Sequence, residues 1–344
     1  MIQYKRIAID TSKAVFTLHG VDESGRAVLR TNLRRAQMAP FFKKLPPTGI
    51  AMEACGGAHH WGRELTALGH EVRLIPPQYV KPFVRRGKNG RNDAEAICEA
   101  AGRPGIHCVP VKSAVQQAQG MVLKIRATLV DQRTVLVNTL RGHAAEFGVI
   151  AAKGISQVGP LLPAIEQETA IPSEARDMLD LPGEEIAHLD IRLKTLDARL
   201  AAAHKANPVS QRLAAIPGIG PVTALTLAAE AGPAAFASGR HLAAWAGLTP
   251  KEHSTGGKQR LGGISRAGNE RLRQLLVLGA TTVIKVATRP GNTLATAWLL
   301  ALLQRKPRKL AAVALANKMA RTVWAMMTSG AVYRRQPASA AVSA

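Results

Sequence analysis

Acidic residues are the scarce class in this sequence: 23 Asp and Glu stand against 46 Lys and Arg, a formal net charge of +23. A field of that sign draws in polyphosphates and is rarely carried by enzymes of small metabolites, so nucleic acid is the expected partner. Charge measures attraction and says nothing of chemistry, and a merely basic binding protein also satisfies it. The deficit is sharpest at the end of the chain. Glu270 is the last acid, and the 74 residues beyond it carry twelve Lys or Arg, so the C-terminal third should track phosphates. Cysteine is nearly absent: Cys55, Cys98 and Cys108 have neither the paired spacing of a zinc site nor the even number of a disulfide framework, which fits a reducing cytoplasm. No run reaches the roughly 18 uninterrupted apolar residues of a membrane span, and the first ten residues turn charged before any apolar run develops. Neither a membrane partner nor a signal peptide is expected. Aromatic residues are 4% of the chain, which argues against base stacking as the dominant mode of binding and leaves phosphate contacts and RNA shape.

What is present is enough apolar residue, 47% of 344, for two or three cores. Residues 6–10, 15–21 and 27–33, with a turn at Asp22-Glu-Ser-Gly25, predict a three-stranded meander. A helix near 34–45, a strand over 49–53, a helix around 61–68 and a strand over 71–75 complete a mixed α/β sheet covered by helices. Pro76, Pro77 and Pro82 punctuate its exit, and the basic loop Arg85-Arg-Gly-Lys-Asn-Gly-Arg91 leads to a helix expected to open near Asn92 and Asp93. From 112 to 147 the pattern is long-helical, with Val115, Val122, Leu129 and Leu136 seven apart. Ile186, Leu189, Leu193, Leu196 and Leu200 follow in steps of three and four, the seam of a coiled coil. These runs predict an antiparallel hairpin, a dimer zipper or two helices inside a globular domain, joined by a Gly-, Pro- and Ser-rich stretch over 148–183. The expected division is an α/β domain over 1–110, a helical coiled-coil connector over 111–205, a mainly helical domain over 206–335 and a disordered tail over 336–344.

Three stretches could carry chemistry. Asp10 ends the first strand after Ile-Ala-Ile, and Glu53 ends a later one after Ile-Ala-Met. A carboxylate at the tip of a buried strand is costly unless it meets a cation. With Asp93 at a helix start, the trio is the kind of cluster that holds Mg²⁺ for phosphodiester chemistry, although Asp93 alone also reads as an N-cap. Ile216-Pro-Gly-Ile-Gly220 followed by Pro221 looks like the turn of a helix-hairpin-helix, whose Gly218 and Gly220 would let backbone N–H groups approach a phosphate; an ordinary helix–helix turn is the alternative, and the charge favours the phosphate-binding reading. The segment from Gly247 to Asn269 is rich in glycine and small polar residues and is expected to be a loop. In it Ser254 or Thr255 lies near Lys258, Arg260 and Arg266, which would offset charge building on phosphorus, or would simply bind phosphate. His253 is a candidate proton acceptor for Ser254.

Taken in order, Ala8-Ile-Asp-Thr-Ser12, Met52-Glu-Ala-Cys-Gly-Gly57, the segment 88–96, Ile216-Pro-Gly-Ile-Gly220, Gly247-Leu-Thr-Pro through Gly268-Asn269, and Leu272-Arg273 resemble a known family. It is that of the insertion-sequence transposases with an RNase H-like (RuvC-like) DEDD domain and a C-terminal catalytic serine, the IS-one-ten family and its IS-triple-one-one branch. The resemblance covers nearly all of the chain. It implies excision and integration of a mobile element through a circular double-stranded intermediate, guided by a structured bridge RNA. The implied partners are donor and target double-stranded DNA, the guide RNA and further copies of the chain as a dimer or tetramer, at the bacterial nucleoid in the cytoplasm. Carried over by residue, Asp10, Glu53 and Asp93 would bind Mg²⁺, and Ser254, or Thr255 if the gap falls differently, would form a 5′-phosphoserine. Ser254 is preferred because a primary hydroxyl reaches a crowded phosphorus more easily than a β-branched one. The family pattern has two aspartates three apart, and here the first of them is Gly90. Glu95 is a poor stand-in, since it points away from the face shared by residues three apart. The rival readings are a RuvC-like junction nuclease in which Ser254 is dispensable, and a catalytically silent nucleic-acid-binding protein, for which Gly90 is the best evidence.

Overall fold

The computed structural model describes residues 3–85, 87, 89–232, 236–291 and 294–334. Lys88 of the basic loop and the tail expected over 336–344 lie outside the described residues. The chain divides into two compact units, Met1–Ala118 and Gln119–Ala344.

In the first unit, β1 (Arg6–Asp10), β2 (Val15–Val21) and β3 (Ala27–Arg34) form an antiparallel meander. The turn between β2 and β3 is closed by Asp22, whose Oδ1 accepts from the N–H groups of Ser24 and Arg26. Then come α1 (Met38–Lys43), β4 (Gly49–Glu53), α2 (Ala58–Ala67), β5 (Glu71–Ile75), α3 (Pro77–Val80) and α4 (Gly90–Ala101). The sheet order is β3-β2-β1-β4-β5, with β1, β4 and β5 parallel. Side chains alternate across it. Ile7, Ile9, Phe16, Leu18, Ile50 and Met52 share one core with Met38, Phe42, Trp61 and Leu65 of α1 and α2. Ala8, Ala51 and Val21 face the other way, into a second core with Ala96, Ile97 and Ala100 of α4. Alanine at both central positions of that face lets α4 lie close to the strands.

The unit boundary falls inside α5 (Ala114–Glu146). The second unit continues with α6 (Val158–Gln167), α7 (Ser173–Lys205), α8 (Pro208–Ala214), α9 (Pro221–Glu230) and α10 (Gly239–Trp245). A ribbon of β6 (Pro250–Glu252) and β7 (Leu261–Ile264) follows, then α11 (Glu270–Ala287), α12 (Ala297–Arg305) and α13 (Arg308–Ser329). Helices α5 and α7 run antiparallel. Arg126 pairs with Asp197 at 2.5 Å and Arg133 pairs with Asp190, so seven residues forward on one helix match seven backward on the other. Ile186, Leu189, Leu193 and Leu200 are buried as their spacing predicts. On α5 the buried positions are Leu123, Val137, Leu140 and Ala144, whereas Val115 is 67% exposed. The sevenfold series therefore runs along the edge of the seam: Val122 and Leu136 are partly buried against the cores, one residue before the buried Leu123 and Val137. The stretch expected to be a linker over 148–183 holds α6 and the first three turns of α7, with Pro182 inside the helix. No helix among the described residues is long and apolar enough to cross a membrane.

Candidate active site

The period of two that builds the sheet also places the acids. Ala8 and Ala51 face α4, so Asp10 and Glu53, two residues further on, face it too. Their strands are parallel neighbours in register through Ile9 and Met52, which puts the two Cα atoms roughly 4.8 Å apart at the carboxyl end of the sheet, where open parallel sheets bind ligands. The segments leaving the strands meet at Thr11 Oγ1 and Cys55 Sγ, 3.1 Å apart. Asp93 comes from the first turn of α4. The N-cap of that helix is Asn89, whose side chain accepts from the Asn92 N–H at 2.8 Å, so the capping role considered for Asp93 belongs to another residue. Glu95 is occupied by Arg85 at 2.9 Å.

Half-burial raises the pKa of Asp10, and the nearby Asp93 charge raises it further. Glu53 is raised by burial first, then by Asp10 and by Asp93. The three acids are thus near enough to repel one another, and a divalent cation would relieve them. Among the described residues no group of three His, Cys, Asp or Glu is arranged to hold an ion by itself. Mg²⁺ does not ask for that. It keeps several waters and is held by one or two carboxylates with substrate phosphates, a demand that Asp10 and Glu53 meet.

Gly90 stands directly against Asp10 and Thr17. A Cβ built on it would lie 2.8 Å from Thr17 Oγ1 and 3.0 Å from Asp10 Oδ2. The absent side chain therefore points at Asp10 and Thr17. Beside it opens a cleft of about 650 Å³ lined by Thr17, His19, Arg30, Asn32 and Arg91. His19 is buried, and its Nδ1 has no hydrogen-bond partner among the described residues. Burial pushes its pKa below the ordinary value; Glu95 opposes that shift, and Arg30 and Arg6 add to it. Thr17, His19 and Arg30 were not singled out from the sequence. Only the pairing of β2 with β1 and β3 brings them here.

The stretch from Gly247 to Asn269, expected to be a loop, holds a β-hairpin. Thr255 and Lys258 pair across its tip, and Gly256 (φ 55°) and Gly257 (φ 75°) both take the positive φ that a tight two-residue turn needs. Residues 250–260 are exposed throughout. Ser254 Oγ donates to Glu252 Oε1 at 2.8 Å and accepts from the Arg260 N–H at 3.1 Å. The hydroxyl's acceptor is Glu252 and not His253, whose backbone N–H bonds the Arg260 carbonyl instead. Two residues along a strand share a face, and that spacing was the available signal for Glu252. The rest of the motif is a clasp. Buried Arg273 donates to the carbonyls of Ala246 (3.2 Å) and Ala267 (3.1 Å), and Asn269 caps α11 while its Nδ2 reaches Glu230 at 2.6 Å. Arg266 is held at φ 55° beside this clasp, with its side chain exposed.

The turn between α8 and α9 serves two ends. Gly218, at φ 87°, packs on Gly279 of α11: a Cβ on Gly218 would lie 2.8 Å from the Gly279 carbonyl oxygen. Its close approach is to protein backbone. Gly220 is the exposed N-cap of α9 and faces open space; Pro221 at the first helical position has no N–H, so the donors this turn leaves are the N–H groups of Val222 and Thr223.

Comparison with known proteins places both regions. Residues 7–148 match the DEDD-type IS110 transposase, and residues 210–294 match the transposase IS116/IS110/IS902 family. Over 342 residues the chain is 51% identical to "Putative transposase y4pF/y4sB" of Sinorhizobium fredii, covering 99% of this chain and 88% of the relative. It is 38% identical to the transposase for insertion sequence element IS1111A of Coxiella burnetii (97% and 92% covered) and 36% identical to that for IS1328 of Yersinia enterocolitica (96% and 98%).

Proposed function

The chain belongs to the IS116/IS110/IS902 family of transposases, and on that premise we propose that it excises and integrates an insertion sequence with carboxylate-bound Mg²⁺ and a covalent Ser254–DNA intermediate. The observation that carries the reading is the meeting of Asp10 and Glu53 at neighbouring strand ends, coupled to Asp93 across α4. A meander continued by parallel strands, with acids at their carboxyl ends, supports an RNase H-like domain over 1–110. Asp10 and Glu53 would hold Mg²⁺, which would supply charge neutralisation at the phosphate.

Ser254 attacks phosphorus, its O–P bond forms as the P–O3′ bond breaks, Glu252 is placed to take the hydroxyl proton, and one proton is returned to the departing 3′ oxygen, which leaves as a free 3′-OH. Lys258 and Arg260 offset the growing charge. The phosphoserine conserves the bond energy, so rejoining requires no nucleotide. Arg266 and the N–H groups of the first turn of α9, beside Gly220, are further phosphate contacts, the latter as a helix-hairpin-helix. A structured guide RNA and a dimer or tetramer, joined through the helical connector over 111–205, complete the active unit at the bacterial nucleoid. Exposed Met121, Ile125 and Val135 on α5 support such a contact.

With DNA and guide RNA supplied, Ser254→Ala should abolish the protein–DNA adduct on denaturing gels and leave binding intact. Glu252→Gln should slow its formation roughly a hundredfold. Loss of the adduct in Thr255→Ala, with persistence in Ser254→Ala, would move the nucleophile by one residue. Gly90 favours a second reading, a nucleic-acid-binding protein whose cleavage is weak because one carboxylate is missing beside Asp10.

A further inference from the structure

On the C-terminal unit, away from both Ser254 and the strand-end acids in sequence, lies a groove of about 1250 Å³. Its floor is one face of α13, where Asn317, Lys318, Arg321 and Ser329 recur at helical spacing. Arg240 enters from α10, Trp298 from α12 and Arg334 from the segment after α13. None of the lining residues is acidic, and none of the four cations forms an ion pair among the described residues. On α5, by contrast, Arg126 and Arg133 are neutralised by Asp197 and Asp190. Four unpaired like charges around one groove repel each other, and an anion with several charges relieves them together.

The cations are held in place by the fold. A Cβ on Gly239 would lie 3.0 Å from Cα and O of Arg321, so the start of α10 rests on the α13 backbone and Arg240 is brought beside Arg321. The second observation is aromatic. Trp298 is 39% exposed, and Lys318 Nζ stands 4.3 Å from the ring centroid. The ammonium lies over one face of the indole by cation–π attraction, and the exposure of the residue leaves the remaining ring surface open among phosphate-seeking groups. Cations alone would suit a duplex or an acidic peptide. A duplex hides the faces of its bases, and a run of carboxylates has no ring to lay on an indole. A strand with unpaired bases satisfies both features, phosphates on the cations and a base on the ring.

We propose that this groove binds an unpaired segment of nucleic acid, with Trp298 as the stacking platform and Arg240, Lys318, Arg321 and Arg334 as phosphate contacts. The site rests on the nucleic-acid reading above but is independent of its cleavage chemistry. The test uses the full chain and its tryptophan fluorescence, titrated with oligo(dT), with oligo(rU), each about ten nucleotides long, and with a blunt DNA duplex. Both homopolymers should quench the fluorescence. Trp298→Ala should weaken their binding roughly tenfold and leave duplex binding within about twofold. Trp298→Phe should keep the affinity and lose most of the quench, which also shows that the fold tolerates the position. Arg240→Ala with Arg321→Ala should flatten the salt dependence by about 1.4 in the log–log slope. Tighter binding of either homopolymer supports the groove and identifies its source as DNA or RNA. Unchanged strand binding by Trp298→Ala, an equal loss for the duplex, or displacement by polyglutamate at strand-like affinity overturns the proposal. Asp10→Asn should bind the homopolymers as the parent chain does, so failure of the groove and failure of the carboxylate chemistry read out separately.

Discussion

At the scale of the residue, the strand-end acids trade stability for a site. Asp10 and Glu53 both have folded-state pKa values above their ordinary ones, so ionisation costs more in the folded chain than in the unfolded one. Their contribution to stability is whole below the ordinary carboxyl values and is lost as pH rises through the raised ones. Without a cation, stability should therefore fall from about pH 4 upward on their account. Asp10→Asn should raise the melting temperature at neutral pH, by about 2–4 °C for each ~1 kcal/mol of desolvation and repulsion relieved, while abolishing cleavage. A melting temperature that falls instead would mean that no repulsion is stored there. Gly90 separates space from charge. Gly90→Ala and Gly90→Asp both press a Cβ on Thr17 and Asp10, at a cost of roughly 1–3 kcal/mol, offset by about 1 kcal/mol for removing a helical glycine. Only the aspartate adds a ligand, so it should melt below the alanine variant without Mg²⁺ and gain more as Mg²⁺ is titrated. Equal gains would show that position 90 does not reach the ion. Asp10 and Glu53 were legible as acids ending apolar strands. Glu252 was not, because its bond to Ser254 depends on a hairpin that a glycine-rich stretch hides.

At the scale of the element, close approach decides more than propensity does. The α8–α9 turn and α11 meet glycine on glycine, and a side chain on Gly279 would drive into the Gly218 carbonyl. Gly279→Ala should destabilise the second unit by about 3 kcal/mol, read as a lower urea midpoint with an unchanged slope. An unaltered midpoint would mean that the turn swings away freely, as one built only for phosphate would. The ribbon of β6 and β7 is the opposite case. Every residue of β6 is exposed, and two strands alone are marginal in water, so its order rests on the Gly256-Gly257 turn and on the clasp made by Arg273. The long helices were legible from periodicity on α7 and also on α5, where the sevenfold row flanks the most buried stripe by one residue.

At the scale of the whole molecule, charge predicts how the chain binds. With +23 overall and no acid after Glu270, affinity for duplex DNA should fall roughly a thousandfold between 50 and 200 mM salt if six or more phosphates are contacted. A constant that ignores salt would contradict an electrostatic partner. The sequence by itself determined the sign of that field, the mixed sheet with an acid at each of two strand tips, the long helices and the family, because all of these are written in composition, period and local order. Tertiary structure alone decided which groups share a face. It set Gly90 against Asp10 and Thr17, gave the Ser254 hydroxyl to Glu252, turned Gly218 inward onto Gly279, and gathered Trp298 with four arginines and lysines although aromatic residues are scarce. Those meetings depend on strand register and helix packing between residues far apart in the chain, and the order of residues along one segment does not encode them.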